Sequence, residues 1–118
     1  MRILIVDDSA TIRRILVKML NQLGYDDLVV ASNGEDATGK MDGVDLIMTD
    51  WHMPEMDGIG FVKWVRAREE YVKLPIIMIT IEGTREGLME AIDAGVNQYI
   101  HKPFTSEVVR EKVEALCS

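Results

Sequence analysis

Five short β-prone runs punctuate the chain: "ILIV" at 3–6, "LVVA" at 28–31, "VDLIMT" at 44–49, "PIIMIT" at 75–80 and "QYI" at 98–100. The second and fourth are continuous apolar runs, the pattern of strands buried on both faces. Between the first two, Ile12, Ile15, Leu16, Met19, Leu20 and Leu23 recur at helical spacing, with Arg13, Arg14 and Lys18 off the stripe. That periodicity predicts an amphipathic helix, and Gly24 is placed to end it.

Weaker helical signals fill the other gaps. Phe61, Val62 and Val65 share one side of a segment opening near Gly58. Thr84 is positioned to cap a helix that buries Leu88, Ala91 and Ile92, and Thr105 to cap one that buries Val109, Val113 and Leu116. The segment 34–41 is the poorest helix, because Gly34 and Gly39 lower its propensity. Strands alternating with helices predict an α/β fold, a doubly wound parallel sheet of five strands and five helices, since parallel neighbours require crossover connections.

Composition narrows the class. At 118 residues, length predicts one domain spanning 1–118. The formal charge is -7 and the basic residues form no obvious stripe along the sequence, which argues against direct nucleic-acid binding. No apolar run approaches the roughly 18 residues of a membrane span, and "MRILIVDD" is too short for a signal peptide, so a cytoplasmic protein is expected. One cysteine, Cys117, and two histidines, His52 and His101, offer no disulfide and little material for a zinc site.

In a sheet of this kind the functional crevice lies at the carboxyl ends of the strands. Reading each run to that end gives Asp7 and Asp8 after the first, Asp50 after the third, Thr80 after the fourth and Lys102 after the fifth. Taken singly, an Asp after a strand is commonly a helix cap and a terminal Thr is β-branched filler. Together, three carboxylates on one rim repel one another unless a cation or shared proton relieves them. A hard divalent ion suits them: Mg²⁺ takes near-octahedral oxygen ligands, one or two of them carboxylates, with the remainder water or phosphate oxygens.

The motifs "VDDSATIRRI" at 6–15, "TDWHMPEMDG" at 49–58, "IT" ending at Thr80 and "YIHKPF" at 99–104 closely resemble the response-regulator receiver family, particularly its single-domain chemotaxis members of the CheY type. The resemblance runs end to end. It implies a flavodoxin-like strand order of 2-1-3-4-5 and an aspartyl-phosphate switch rather than a turnover enzyme. Asp50 matches the phosphoacceptor for a CheA-like histidine kinase or a small acyl phosphate. Asp8, Asp50, the backbone carbonyl of His52 and, through water, Asp7 match the Mg²⁺ ligands. Thr80 and Lys102 match the groups that bind phosphoryl oxygens, and the Lys102–Pro103 bond is expected to be cis as in the family.

The same resemblance pairs Thr80 with Tyr99 as a switch, in which the aromatic ring moves inward as the hydroxyl moves toward the phosphoryl group. It places Arg85, Leu88, Tyr99 and Lys112 on a partner face, with a flagellar motor switch protein as favoured target and a phosphatase as a further partner; the chain is expected to be monomeric. Ile81 and His52 depart from the family's usual small residue and Asn, which bears on access to the site and on phosphoryl lifetime.

Rival readings remain at this level. "GEDATGKM" at 34–41 nearly spells a phosphate-binding loop but has Met41 where Mg²⁺ would need Ser or Thr, and Glu35 and Asp36 would repel phosphate. A phosphatase of the haloacid-dehalogenase type would place its nucleophile after the first strand in a D-x-D pattern, whereas Asp7 and Asp8 are adjacent. A receiver excised from a multidomain regulator is the other alternative; the absence of a linker-like tail after "EKVEALCS" favours a free-standing protein.

Overall fold

The computed structural model describes residues 1–117, with the side chain of Cys117 left aside. Strands β1 (Arg2–Val6), β2 (Asp27–Ala31), β3 (Leu46–Asp50), β4 (Ile76–Thr80) and β5 (Gln98–His101) form one parallel sheet in the order β2-β1-β3-β4-β5. Helices α1 (Ala10–Gln22), α2 (Gly34–Thr38), α3 (Gly58–Arg66), α4 (Arg85–Ala94) and α5 (Ser106–Cys117) alternate with them. A short 3₁₀ turn at Glu69–Tyr71 precedes β4 and carries no periodic signal in the sequence.

The alternation of side chains along the central strands splits the interior into two layers. Ile3, Ile5, Leu46, Met48, Ile77 and Ile79 face α1 and α5, meeting Leu16, Leu20, Val109 and Val113. Leu4, Val6, Ile47, Ile76 and Met78 face the other way, against Phe61, Val62, Val65 and Ala91. Because β1, β3 and β4 are covered on both sides, their apolar runs are almost wholly buried, as parallel strands between two helix layers must be.

The uninterrupted run of β2 does not have that meaning. β2 is an edge strand and only Ala31 is fully buried, while Val30 is 39% exposed. Two helix assignments also need correction at single residues. Ile15 on α1 and Ile92 on α4 were expected in the core, but they are 40% and 53% exposed, because each stripe is wider than the arc its helix buries.

The predicted caps form. Thr84 Oγ1 accepts from Gly87 N at 3.0 Å and Thr105 Oγ1 from Val108 N at 3.3 Å. Gly24, with φ of +99°, follows the C-cap Leu23 and lets the chain leave α1. α2 runs only to Thr38, with Gly39 as its C-cap, so the helix expected over 34–41 is shorter than its pattern. Lys40, the lysine of the near-phosphate loop, pairs with Asp36 at 3.1 Å and donates to Val30 O at 2.9 Å. It is committed to closing the β2 edge.

Candidate functional site

Strand register assembles the rim. Val6 is the β1 partner of Thr49, so Asp7 comes level with Asp50 at the end of β3. Asp50 in turn faces Ile79, which sets Thr80 one residue beyond it, and Thr80 pairs with His101, immediately before Lys102. The five polar residues singled out in the sequence therefore come to one end of neighbouring strands without any long loop positioning them. Asp50 is the last residue of β3 itself, not the first after it.

Asp50 is held stiffly. Asp50 is 8% exposed, and its Oδ1 accepts from Trp51 N at 2.8 Å. Beyond it the chain turns through Glu55, whose φ of +69° is left-handed, and returns so closely that Gly58 N bonds Trp51 O at 2.7 Å. A Cβ on Gly58 would collide with the carbonyl of Asp50 and lie 2.8 Å from Trp51 Cα. Glycine is therefore required by backbone contact, not by its dihedral freedom. Asp57 then caps α3, its carboxylate accepting from Gly60 N at 2.8 Å.

Asp7, Asp8 and Asp50 each present a carboxylate oxygen within 4.8 Å of the others. Asp8 is exposed, while Asp7 is only 2% exposed. Burial pushes the Asp7 carboxyl above its ordinary value; the hydrogen bond from Ser9 N, at 2.8 Å, pulls it back, and repulsion from Asp50 raises it again. Lys102 Nζ stands 3.4 Å from Asp7 Oδ2 and 3.4 Å from Asp50 Oδ1. One ammonium against three carboxylates leaves excess negative charge in a partly dry recess, and the oxygen-only donor set suits a hard divalent cation such as Mg²⁺.

The remaining residues frame this recess. The amide of Lys102 donates to Thr80 O at 2.8 Å, and Lys102–Pro103 is a cis peptide bond, as expected. Thr80 is fully buried, and its Oγ1 accepts from Glu82 N at 3.0 Å, which ties it to the loop entering α4. The His52 side chain is exposed and stacks on Trp51 with ring centroids 5.7 Å apart. Ile81 is 70% exposed, so its bulk stands in solvent.

Two contacts carried no signal in the sequence. Arg13 donates to the carbonyl of Asp7 at 2.6 Å, and hydrogen bonds from Thr84 hold the Glu82 carboxyl below its ordinary value. Position within a helix or loop, rather than residue type, decides both.

The predicted partner face divides. Leu88, Tyr99 and Lys112 line one shallow hollow between α4, β5 and α5, whereas Arg85 lies beside Lys63 in a separate hollow between α3 and α4. The Tyr99 hydroxyl is buried and has no hydrogen-bond partner among the described residues. Burial raises its phenol above the ordinary value, and the charge of Glu82 adds to the rise.

Residues 3–114 match the family model of the response regulator receiver domain. Chemotaxis protein CheY1 of Helicobacter pylori strain J99 is 47% identical over 98% of this chain and 96% of its own length. A chemotaxis protein CheY homolog of Campylobacter jejuni is 48% identical over 97% of this chain and 90% of its own. Among solved structures, chemotaxis protein CheY4 of Vibrio cholerae superposes with a TM-score of 0.89 at 32% identity, covering 98% of this chain and 97% of that one. The signal receiver domain of a signal transduction histidine kinase from Syntrophus aciditrophicus gives 0.88 at 31%, covering 98% and 88%. No described helix is long and apolar enough to cross a membrane. The fold, the strand-end constellation and these likenesses agree, and the chain belongs to the response regulator receiver domain family.

Proposed function

We propose that this receiver takes a phosphoryl group on Asp50 from a histidine kinase and thereby changes the face it offers to a chemotaxis output partner. Receiver domains are signalling components of two-component systems, and the chemotaxis proteins among the relatives support that setting. The observation carrying the proposal is the recess in which Asp50, Asp7 and Lys102 meet at 3.4 Å contacts beside Asp8.

In this reading an Oδ atom of Asp50 attacks phosphorus in line, a new O–P bond forms, and the bond from phosphorus to the donor nitrogen or acyl oxygen breaks with its electrons leaving on the donor. A carboxylate is already ionised at neutral pH, so no base is needed. Lys102 neutralises charge on an equatorial oxygen, and Thr80 Oγ1 offers a hydroxyl to another once it releases Glu82 N. Asp7, Asp8, Asp50 and the His52 carbonyl are the groups proposed to hold Mg²⁺, which when bound supplies charge neutralisation for the transferring group.

The hollow at Leu88, Tyr99 and Lys112 is the proposed docking place for a helical segment of a flagellar motor switch protein, with the Thr80–Tyr99 pair as the switch between recess and hollow. The test is incubation with Mg²⁺ and acetyl phosphate, followed by borohydride trapping and peptide mapping. The expected adduct is on Asp50, dependent on Mg²⁺ and absent in Asp50→Asn. Stoichiometric labelling of the Asn variant would remove the acceptor assignment.

A further inference from the structure

Helix α1 carries Arg13, Arg14 and Lys18 and no acidic residue, in a chain whose formal charge is -7. Its outer flank and the β2 edge bound an open groove of about 760 Å³. Ala10, Val17 and Val30 supply an apolar floor, and the three cations stand along the rim. Most of the accessible lining is carbon, so this is an apolar trough edged with positive charge. It lies on the α1–β2 side of the sheet, away from the hollow at Leu88, Tyr99 and Lys112.

The cations are not equivalent. Arg13 is spent on the Asp7 carbonyl, at 2.6 Å. Arg14 and Lys18 are exposed and make no described hydrogen bond or ion pair. Lys40 and Arg2, by contrast, pair with Asp36 and Asp27. Two cations without an ion pair thus stand beside exposed Val30 and half-buried Val17, on the wall of one groove.

We propose that the α1–β2 groove docks an acidic amphipathic helical segment of a partner protein, its carboxylates on Arg14 and Lys18 and its aliphatic side chains on Val17 and Val30. Charge complementarity selects the occupant. A long polyanion such as nucleic acid or an anionic membrane would meet the negative remainder of the protein within a Debye length of about 8 Å. A short acidic helix meets only the rim. The thirteen residues of α1 extend about 20 Å, which fits a partner helix of three to four turns. The inference does not rest on Asp50 being the phosphoacceptor.

The probe is an acetylated peptide of roughly 14 residues with Glu and Leu on adjoining helical faces, made in three Leu registers and titrated into ¹⁵N-labelled full chain. Saturable shifts at Arg14, Val17, Lys18 and Val30 are expected, weakening with salt. An Arg14→Glu/Lys18→Glu variant with native-like spectral dispersion should lose roughly tenfold or more in affinity, while Lys112→Glu, one charge reversal on the other face, should not. Several outcomes overturn the proposal: no saturable binding by any register, shifts confined to the α4–β5–α5 hollow, or equal losses in both variants. So would sedimentation showing that a second copy of the chain fills the groove, or binding to anionic vesicles in preference to the peptide.

Discussion

Lys102 Nζ stands 3.4 Å from Asp50 Oδ1 although Asp50 ends β3 and Lys102 follows β5, with β4 between the two strands. The same nitrogen is 3.4 Å from Asp7 Oδ2, so the ammonium sits between the two buried carboxylates instead of choosing one. It therefore occupies, electrostatically, part of the role a divalent cation would take. Replacing it by an isosteric apolar residue separates two effects. In Lys102→Met, Mg²⁺ should bind about threefold to tenfold more tightly, because a like charge within the same recess is gone. Phosphoryl uptake should fall sharply, because the charge on an equatorial oxygen is unmet. Trp51, buried and bonded through its amide to Asp50, supplies the fluorescence signal for the metal titration. Unchanged or weaker Mg²⁺ affinity would show that Lys102 does not compete.

Asp7 gives the opposite lesson. Its carboxyl is raised by burial first, with the Ser9 hydrogen bond opposing and the Asp50 charge adding. A carboxyl raised in the folded state keeps its proton to higher pH than in the unfolded chain. Stability is then greatest below the ordinary carboxylate value and falls as pH rises through the raised one. Asp7→Asn retains an oxygen for Ser9 N and removes the charge. The variant should gain about 1 kcal/mol in urea unfolding at neutral pH without metal, and the gain should vanish near about pH 3. Added Mg²⁺ should stabilise the parent chain at neutral pH and the variant much less. A variant less stable than its parent at neutral pH contradicts this account.

The strands and the recess could be read from sequence because both are set by local pattern. The apolar runs of β1, β3 and β4 stop at the rim, and register then fixes Asp7, Asp50 and Thr80 with no further information. What pattern could not supply was the depth of cover. The run of β2 looks like that of β4, yet one strand is at the edge and the other inside, a difference created by strand order alone. Arg85 was separated from Leu88, Tyr99 and Lys112 by the helical turn that faces it toward α3. Arg13, placed off the apolar stripe with Arg14 and Lys18 in the sequence, holds the Asp7 carbonyl.

Gly58 shows how the loop after Asp50 controls where Asp50 stands. A Cβ there would strike the Asp50 carbonyl and crowd Trp51 Cα, and neither is a flexible side-chain end able to give way. Gly58→Ala should cost about 2 to 3 kcal/mol in chemical denaturation. With Asp50 as the proposed nucleophile, it should also slow phosphoryl uptake from acetyl phosphate roughly tenfold to a hundredfold, because a small displacement spoils in-line geometry. Unchanged stability in this variant would mean that the turn is not packed as described.

Tyr99 buries a hydroxyl that no described group satisfies, and an unpaired buried hydroxyl costs more than its absence. Tyr99→Phe should therefore stabilise the unphosphorylated protein by up to about 1 kcal/mol, an unusual sign for removing a polar atom. The phenol offers an independent check. Burial, with Glu82 adding, raises it above the ordinary value, so an absorbance titration near 295 nm should contain a late phenol step that Tyr99→Phe abolishes. The linkage sign follows from the raised value: the stability that neutral Tyr99 confers is present below the ordinary phenol value and is lost as pH climbs through the raised one. If Tyr99→Phe destabilises the chain and removes no late step from the titration, the hydroxyl is bonded in solution.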